Sequence, residues 1–162
     1  MTRVLEEMRR PFLVGKKVYL RLLEGSDIGE EYVGWLNDYE VNRYLETGKF
    51  PSTPEAIRKY LERFQDSTTD LIFAIVETDS DHQIGNVTLN GINWINRTAD
   101  TGLIIGPKES RVKGCAFEAW SLVWFYTTSN DFGFVAQCRW QKSGNSNEQT
   151  KRKCLFLDGK NR

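Results

Sequence analysis

Apolar and polar positions alternate from Lys17 to Leu23 between Gly15 and Gly25, the period of a strand with one buried face. From Ser26 or Asp27, either able to cap a helix, the period lengthens. Ile28, Tyr32, Trp35 and Leu36 then share a helical face, with Glu30 and Glu31 in the first turns where the dipole favours them. A second short helix is expected around Val41, Tyr44 and Leu45 after Asp38, ended by the loop Thr47 to Ser52. Thr53 and Pro54 supply a cap and an N1 proline for a third, with Ile57, Tyr60, Leu61 and Phe64 on its apolar face.

The apolar run Leu71 to Val76, the polar turn Thr78 to His82 and the run Gln83 to Leu89 read as a hairpin. A turn region from Asn90 to Arg97 leads into a strand from Thr98 to Ile105, making three consecutive antiparallel strands. From Gly114 to Ser129 the chain is apolar nearly all round, which predicts a central helix packed on the sheet. Phe132 to Cys138 supplies another strand, so strand, helix and strand in succession predict one parallel pairing with a right-handed crossover. A polar loop at Ser143 to Asn147, a short helical stretch to Lys153 and a last strand at Cys154 to Leu157 complete the expected order.

With 162 residues, 40% of them apolar, the chain can bury one sizeable core, and a single domain is expected. Lysine plus arginine and aspartate plus glutamate number 22 each, so no overall field draws the protein to nucleic acid or an anionic membrane. The stretch from Arg139 to Arg162 is basic, a solvated terminus first and an aid to an anionic ligand second. Cys115, Cys138 and Cys154 are odd in number with no C-x-x-C spacing, which implies free thiols and a cytoplasmic location. His82 is the one histidine, so no metal cluster is expected. No run reaches membrane-spanning length, and the charged start is unlike a secretory leader.

The richest chemistry lies from Gly102 to Trp120, where an apolar strand enters a glycine-bearing turn and then an apolar helix. At a helix start, backbone N–H groups lack intrahelical partners and the dipole is positive, a setting suited to a pyrophosphate. Residues 111 to 116 read Arg-x-x-Gly-x-Ala. This resembles the Arg/Gln-x-x-Gly-x-Gly/Ala signature of the GCN5-related N-acetyltransferases, the GNAT superfamily. Gly15 to Glu24 and Tyr32 to Tyr44 are similar to the branch with ribosomal-protein N-terminal, polyamine and amino-sugar acetyltransferases.

The resemblance implies a mixed α/β (α+β) fold: a mostly antiparallel twisted sheet with helices on both faces, splayed between its fourth and fifth strands. It implies acetyl-CoA as co-substrate and no metal. The pantetheine arm would bond to Leu103, Ile104 and Ile105, and the pyrophosphate would rest on Arg111, Val112, Lys113, Gly114, Cys115 and Ala116, with Asn147 as a further contact. Asp100 is the expected base, and a backbone N–H near Leu103 or Ile104 the oxyanion donor. Glu118 is expected to act as a dipole partner of the helix.

Trp35, Tyr44 and Glu46 are expected at the acceptor site, Glu46 attracting the ammonium group of a small-molecule, amino-sugar or peptide amine. Nucleic acid and membrane are not expected partners. The tail departs from the family pattern: Asn147-Glu-Gln-Thr150 stands for Asn-x-x-Ser, and leucine at 155 for glycine. No tyrosine follows Val135 to protonate the thiolate, leaving Cys154 or water, and the family's last strand is absent or outside this chain. A sheet edge left this way would suit a second subunit in a homodimer. Two readings follow: an active N-acetyltransferase, or a GNAT-fold module that binds acyl-CoA without turnover.

Overall fold

The computed structural model describes residues 11–43, 50–96, 98–129 and 135–138. The expectations at Tyr44, Glu46 and Asn147, and those for the polar loop, short helix and last strand, lie outside them. Six strands form one sheet in chain order: β1 (Leu13–Val14), β2 (Val18–Leu22), β3 (Leu71–Glu77), β4 (His82–Asn93), β5 (Thr98–Ile105) and β6 (Val135–Cys138). The first four pairings are antiparallel, and β5 with β6 is parallel, as the helix between them requires. The strand β1 is a pair of residues too short to carry a sequence signal. The turn region expected from Asn90 is shorter than the pattern suggested, since β4 continues to Asn93.

Helices cover both faces. On one side lie α1 (Glu30–Asn37), α2 (Tyr39–Asn42) and α3 (Pro54–Gln65); on the other lies α5 (Cys115–Ser129), preceded by the short α4 (Lys108–Val112). Capping follows the sequence. Thr53 Oγ1 accepts from Ala56 N at 3.2 Å and Asp38 Oδ1 from Glu40 N at 2.9 Å. Asp27 does something else: Gly25–Asp27 is a separate 3-10 turn, and the Asp27 carboxylate takes both guanidinium nitrogens of Arg21 at 2.7 Å. With its capping residue so engaged, α1 starts at Glu30 after Gly29.

Strand alternation divides the core. Val18, Leu20, Phe73, Ile75, Val87, Leu89, Ala99 and Ile105 face α5 and meet its Cys115, Ala119 and Val123. Ile72, Ala74 and Val76 point the other way, onto Tyr32 and Leu36 of α1 and Ile57 and Leu61 of α3. The helix α5 packs on the sheet as expected, along one stripe. Its buried positions are Cys115, Ala119, Val123 and Thr127, one stripe at four-residue spacing, while Phe117 is 74% and Phe125 67% exposed. Apolar composition alone could not reveal that only one stripe touches the sheet. Among the described residues no helix is long and apolar enough to cross a membrane.

Candidate active site

The strand β5 positions most of the site. Thr98 to Thr101 pair with β4 on one side and with Val135 to Cys138 on the other; among the described residues Gly102 to Ile105 pair with β4 alone. Leu103 and Ile105 pack toward α5, and Ile104 packs toward α1 with Trp35. Asp100 is exposed and lies opposite Asn90 of β4. By strand alternation it shares the α1 face with Gly102 and Ile104, about 13 Å from Ile104 along the strand. On that face β4 contributes Asn86 and Thr88. The Asn86 amide donates to the Tyr32 hydroxyl at 2.6 Å, and Thr88 Oγ1 donates to the Gly102 carbonyl at 3.4 Å.

Beyond Ile105 the chain turns at Gly106 and Pro107 into α4, which the sequence pattern showed only as a turn. A backbone amide and a guanidinium anchor this exit: Gly106 N–H donates to Ile84 O at 2.9 Å, and Arg111 Nε donates to Ile105 O at 3.1 Å with Nη2 on Gly106 O. The Arg111 side chain therefore braces the turn. Gly85 permits the close approach, since a Cβ there would lie 1.9 Å from Ile104 O.

Gly114 has φ +79°, in the region that glycine tolerates best, and the nearest atom to a Cβ there is Lys17 Nζ at 3.5 Å. The α5 ladder begins when Glu118 N–H donates to Gly114 O at 3.1 Å. The N–H groups of Cys115, Ala116 and Phe117 thus precede the ladder, at the positive end of a 15-residue helix. The residues present therefore fit a diphosphate, held by main-chain amides without a charged cage.

The cradle is braced from outside. Lys17 Nζ donates to Lys113 O at 2.6 Å, and Lys113 Nζ pairs with Glu77 at 2.8 Å. The Lys113 ammonium beside it holds the Glu77 carboxyl below the usual range, and Glu77 in turn raises Lys113. Glu118 extends beyond the expected dipole role, accepting from Lys16 N at 2.6 Å and Lys17 N at 2.9 Å. The Cys115 thiol is fully buried and pushed up by that burial. Val112 is exposed, and Ala116 packs against the α5-side core.

Trp35, expected at the acceptor site, stands at the end of β5 against Gly106. A separate groove of about 460 Å³ between α1 and α3, lined by Ile28, Val33, Asn37, Pro54 and Arg58, shares no residue with the cradle. Among the described residues no group of His, Cys, Asp or Glu side chains could hold a metal ion.

The family model for the acetyltransferase (GNAT) domain matches residues 17–142, which include every strand from β2 onward and the whole cradle. The chain belongs to the GNAT acetyltransferases. No curated protein sequence matches it. Among solved structures it is similar in fold to the ribosomal L7/L12 alpha-N-protein acetyltransferase RimL in complex with coenzyme A. That likeness has a TM-score of 0.67 at 15% identity over 80% of this chain and 75% of that one. It is similar also to a spermidine N-acetyltransferase SpeG chimera from Vibrio cholerae and human SSAT, with a TM-score of 0.59 and 23% identity over 70% of this chain. The chain spans 64% of the length of that chimera. A third likeness is to FdhC, a nucleotide-linked sugar GNAT, with a TM-score of 0.58 and 26% identity over 78% of this chain and 71% of that one.

Four features were hidden from sequence reasoning: the Arg111 brace, the Lys17 contact, the Lys113–Glu77 pair and the Asn86–Tyr32 bond. The last three join residues at least 36 positions apart. A Gly-Pro pair at 106 and 107 was the one visible signal of a tight exit from the strand.

Proposed function

We propose that this protein is an acetyl-CoA-dependent N-acetyltransferase. It moves an acetyl group to a primary amine of a small molecule, an amino sugar or a peptide terminus by direct attack. The observation that carries the reading is Gly114 in a left-handed conformation directly before α5, at the end of a strand whose last four residues pair with β4 alone among the described residues. Membership of the GNAT acetyltransferases and the likeness to a relative solved with coenzyme A support it. The reading takes the whole chain as one acetyltransferase domain.

In this reading the coenzyme supplies the activated acetyl thioester. The amides from Arg111 to Ala116 hold its diphosphate, and Gly114 lets the backbone approach. The backbone of Leu103, Ile104 and Ile105 aligns the pantetheine arm as a neighbouring strand would. Asp100 accepts the ammonium proton of the acceptor directly or through water, leaving a neutral amine that forms the new C–N bond. A main-chain N–H at Leu103 or Ile104 donates to the carbonyl oxygen as negative charge builds on it. The C–S bond then breaks, and the thiolate takes a proton from water or from Cys154, outside the described residues. Trp35 and, outside the described residues, Tyr44 and Glu46 belong to the acceptor side, with Asn147 as a further coenzyme contact.

The test is release of free thiol from acetyl-CoA across a panel of polyamines, amino sugars, nucleotide-linked amino sugars and peptides with free amino termini. Stimulation by one class identifies the acceptor. Coenzyme binding without release by any amine would replace the enzymatic reading with that of a binding module.

A further inference from the structure

The turn where β5 gives way to α4 is held on every side, and one of the holding groups comes from a distant part of the chain. Gly106 N–H is fixed by Ile84 of β4, and its carbonyl by Arg111 of α4. Its Cα is covered by the Trp35 indole of α1. A Cβ at 106 would lie 2.0 Å from Trp35 Cδ2, 2.1 Å from Cε2 and 2.4 Å from Cγ, so the ring occupies the space any side chain would need. One helical turn earlier Tyr32 fixes α1 to β4 through Asn86, and the Tyr32 and Trp35 rings stand 5.9 Å apart. Trp35 is thus the contact through which the helix on the acceptor face meets the segment leading to the cradle.

We propose that Trp35 is a positioning residue for coenzyme binding: by covering Gly106 it fixes the direction in which the chain leaves β5, and with it the aim of the amides that precede α5. The proposal rests on the coenzyme reading above and goes beyond it by giving an acceptor-face residue control over the cradle. The reason is geometric. Arg111 and Ile84 restrain Gly106 through its own hydrogen bonds within the sheet and turn, which leaves rotation toward α1 free; the indole blocks that rotation. Amides that hold an anion by direction lose affinity when their aim drifts, so removal of the ring acts at a distance from the ligand.

The experiment is calorimetric titration of the full chain with coenzyme A, together with thermal melting of each variant without ligand. Trp35→Ala is expected to weaken coenzyme A binding by about tenfold, and Trp35→Phe to restore it to within about threefold of wild type. Tyr32→Phe removes the hydroxyl anchoring the same helix, and should lower the melting temperature while leaving affinity unchanged. Should Trp35→Ala not fold, Gly106→Ala serves in its place: it keeps the indole, adds the atom the indole excludes, and is expected to weaken binding equally. Wild-type binding with unchanged affinity in the Trp35 and Gly106 variants overturns this proposal alone. Equal weakening by Tyr32→Phe also overturns it, because general loosening of α1 would then suffice. A wild-type chain that takes up no coenzyme A overturns both this proposal and the reading it rests on.

Discussion

The two faces of the sheet are built from different chemistry. Beneath α5 the sheet presents Val18, Leu20, Phe73, Ile75, Val87 and Leu89, an apolar surface closed by Cys115, Ala119 and Val123. Beneath α1 and α3 the same strands carry Tyr19, Arg21, Asn86, Thr88 and Asp100 among their apolar neighbours. Four of these five polar groups are partnered: Arg21 with Asp27, Asn86 with Tyr32, Thr88 with the Gly102 carbonyl, Tyr19 with Asp81. The first face stabilises by packing, which is forgiving of chemistry but not of volume. The second fixes geometry by directed bonds, and it is the face toward which Asp100 and Trp35 are placed. The difference assigns close apolar packing to one side of β5 and directed polar contacts to the other.

The largest effect should come from breaking the apolar face. Phe73→Ala empties a site that is 2% exposed and stacked by Phe12, and is expected to cost about 3–5 kcal/mol in urea unfolding. On the opposite face Arg21→Ala leaves the Asp27 carboxylate without its partner in a site where both side chains are nearly buried. It should cost about 2–3 kcal/mol by the same measurement. Gly114→Ala puts a Cβ on a residue at φ +79°, at an expected cost of about 1–2 kcal/mol, and should weaken coenzyme binding seen by calorimetry.

Asp100→Asn sharpens the contrast, because the residue is exposed and takes no part in the packing. Its stability should stay within about 0.5 kcal/mol of wild type, while thiol release slows and the pH–rate profile changes. The smallest effect lies at alkaline pH. Burial, reinforced by the bond to Asp81, pushes the Tyr19 hydroxyl up to about 12. The folded state therefore favours the protonated phenol. That contribution is complete below pH 10 and is lost as pH rises toward 12, so Tyr19→Phe should flatten the stability curve within that window.

Local rules were legible in the sequence because local geometry decides them. The alternation from Lys17 to Leu23 and the Thr53-Pro54 helix start act over a few residues and are found where the pattern placed them. The glycine turn into α5 within the Arg-x-x-Gly-x-Ala segment was legible for the same reason, since Gly114 and the start of the helix are neighbours in sequence. What stayed hidden depends on contacts across the fold. Nothing near Trp35 marks Gly106 as its partner, and Arg111 could equally have faced a ligand or its own turn. The apolar composition of α5 likewise conceals which stripe meets the sheet, because Phe117 and Phe125 are as apolar as the positions that are buried.

The central claim is that the amides from Arg111 to Ala116 grip a diphosphate at the end of β5. Two-dimensional amide NMR of the full chain during titration with coenzyme A tests it most directly. The account predicts saturable shifts concentrated at Lys113, Gly114, Cys115 and Ala116, with smaller ones at Leu103 and Ile104. Absence of shifts, or shifts confined to the groove between Ile28 and Arg58, would contradict it.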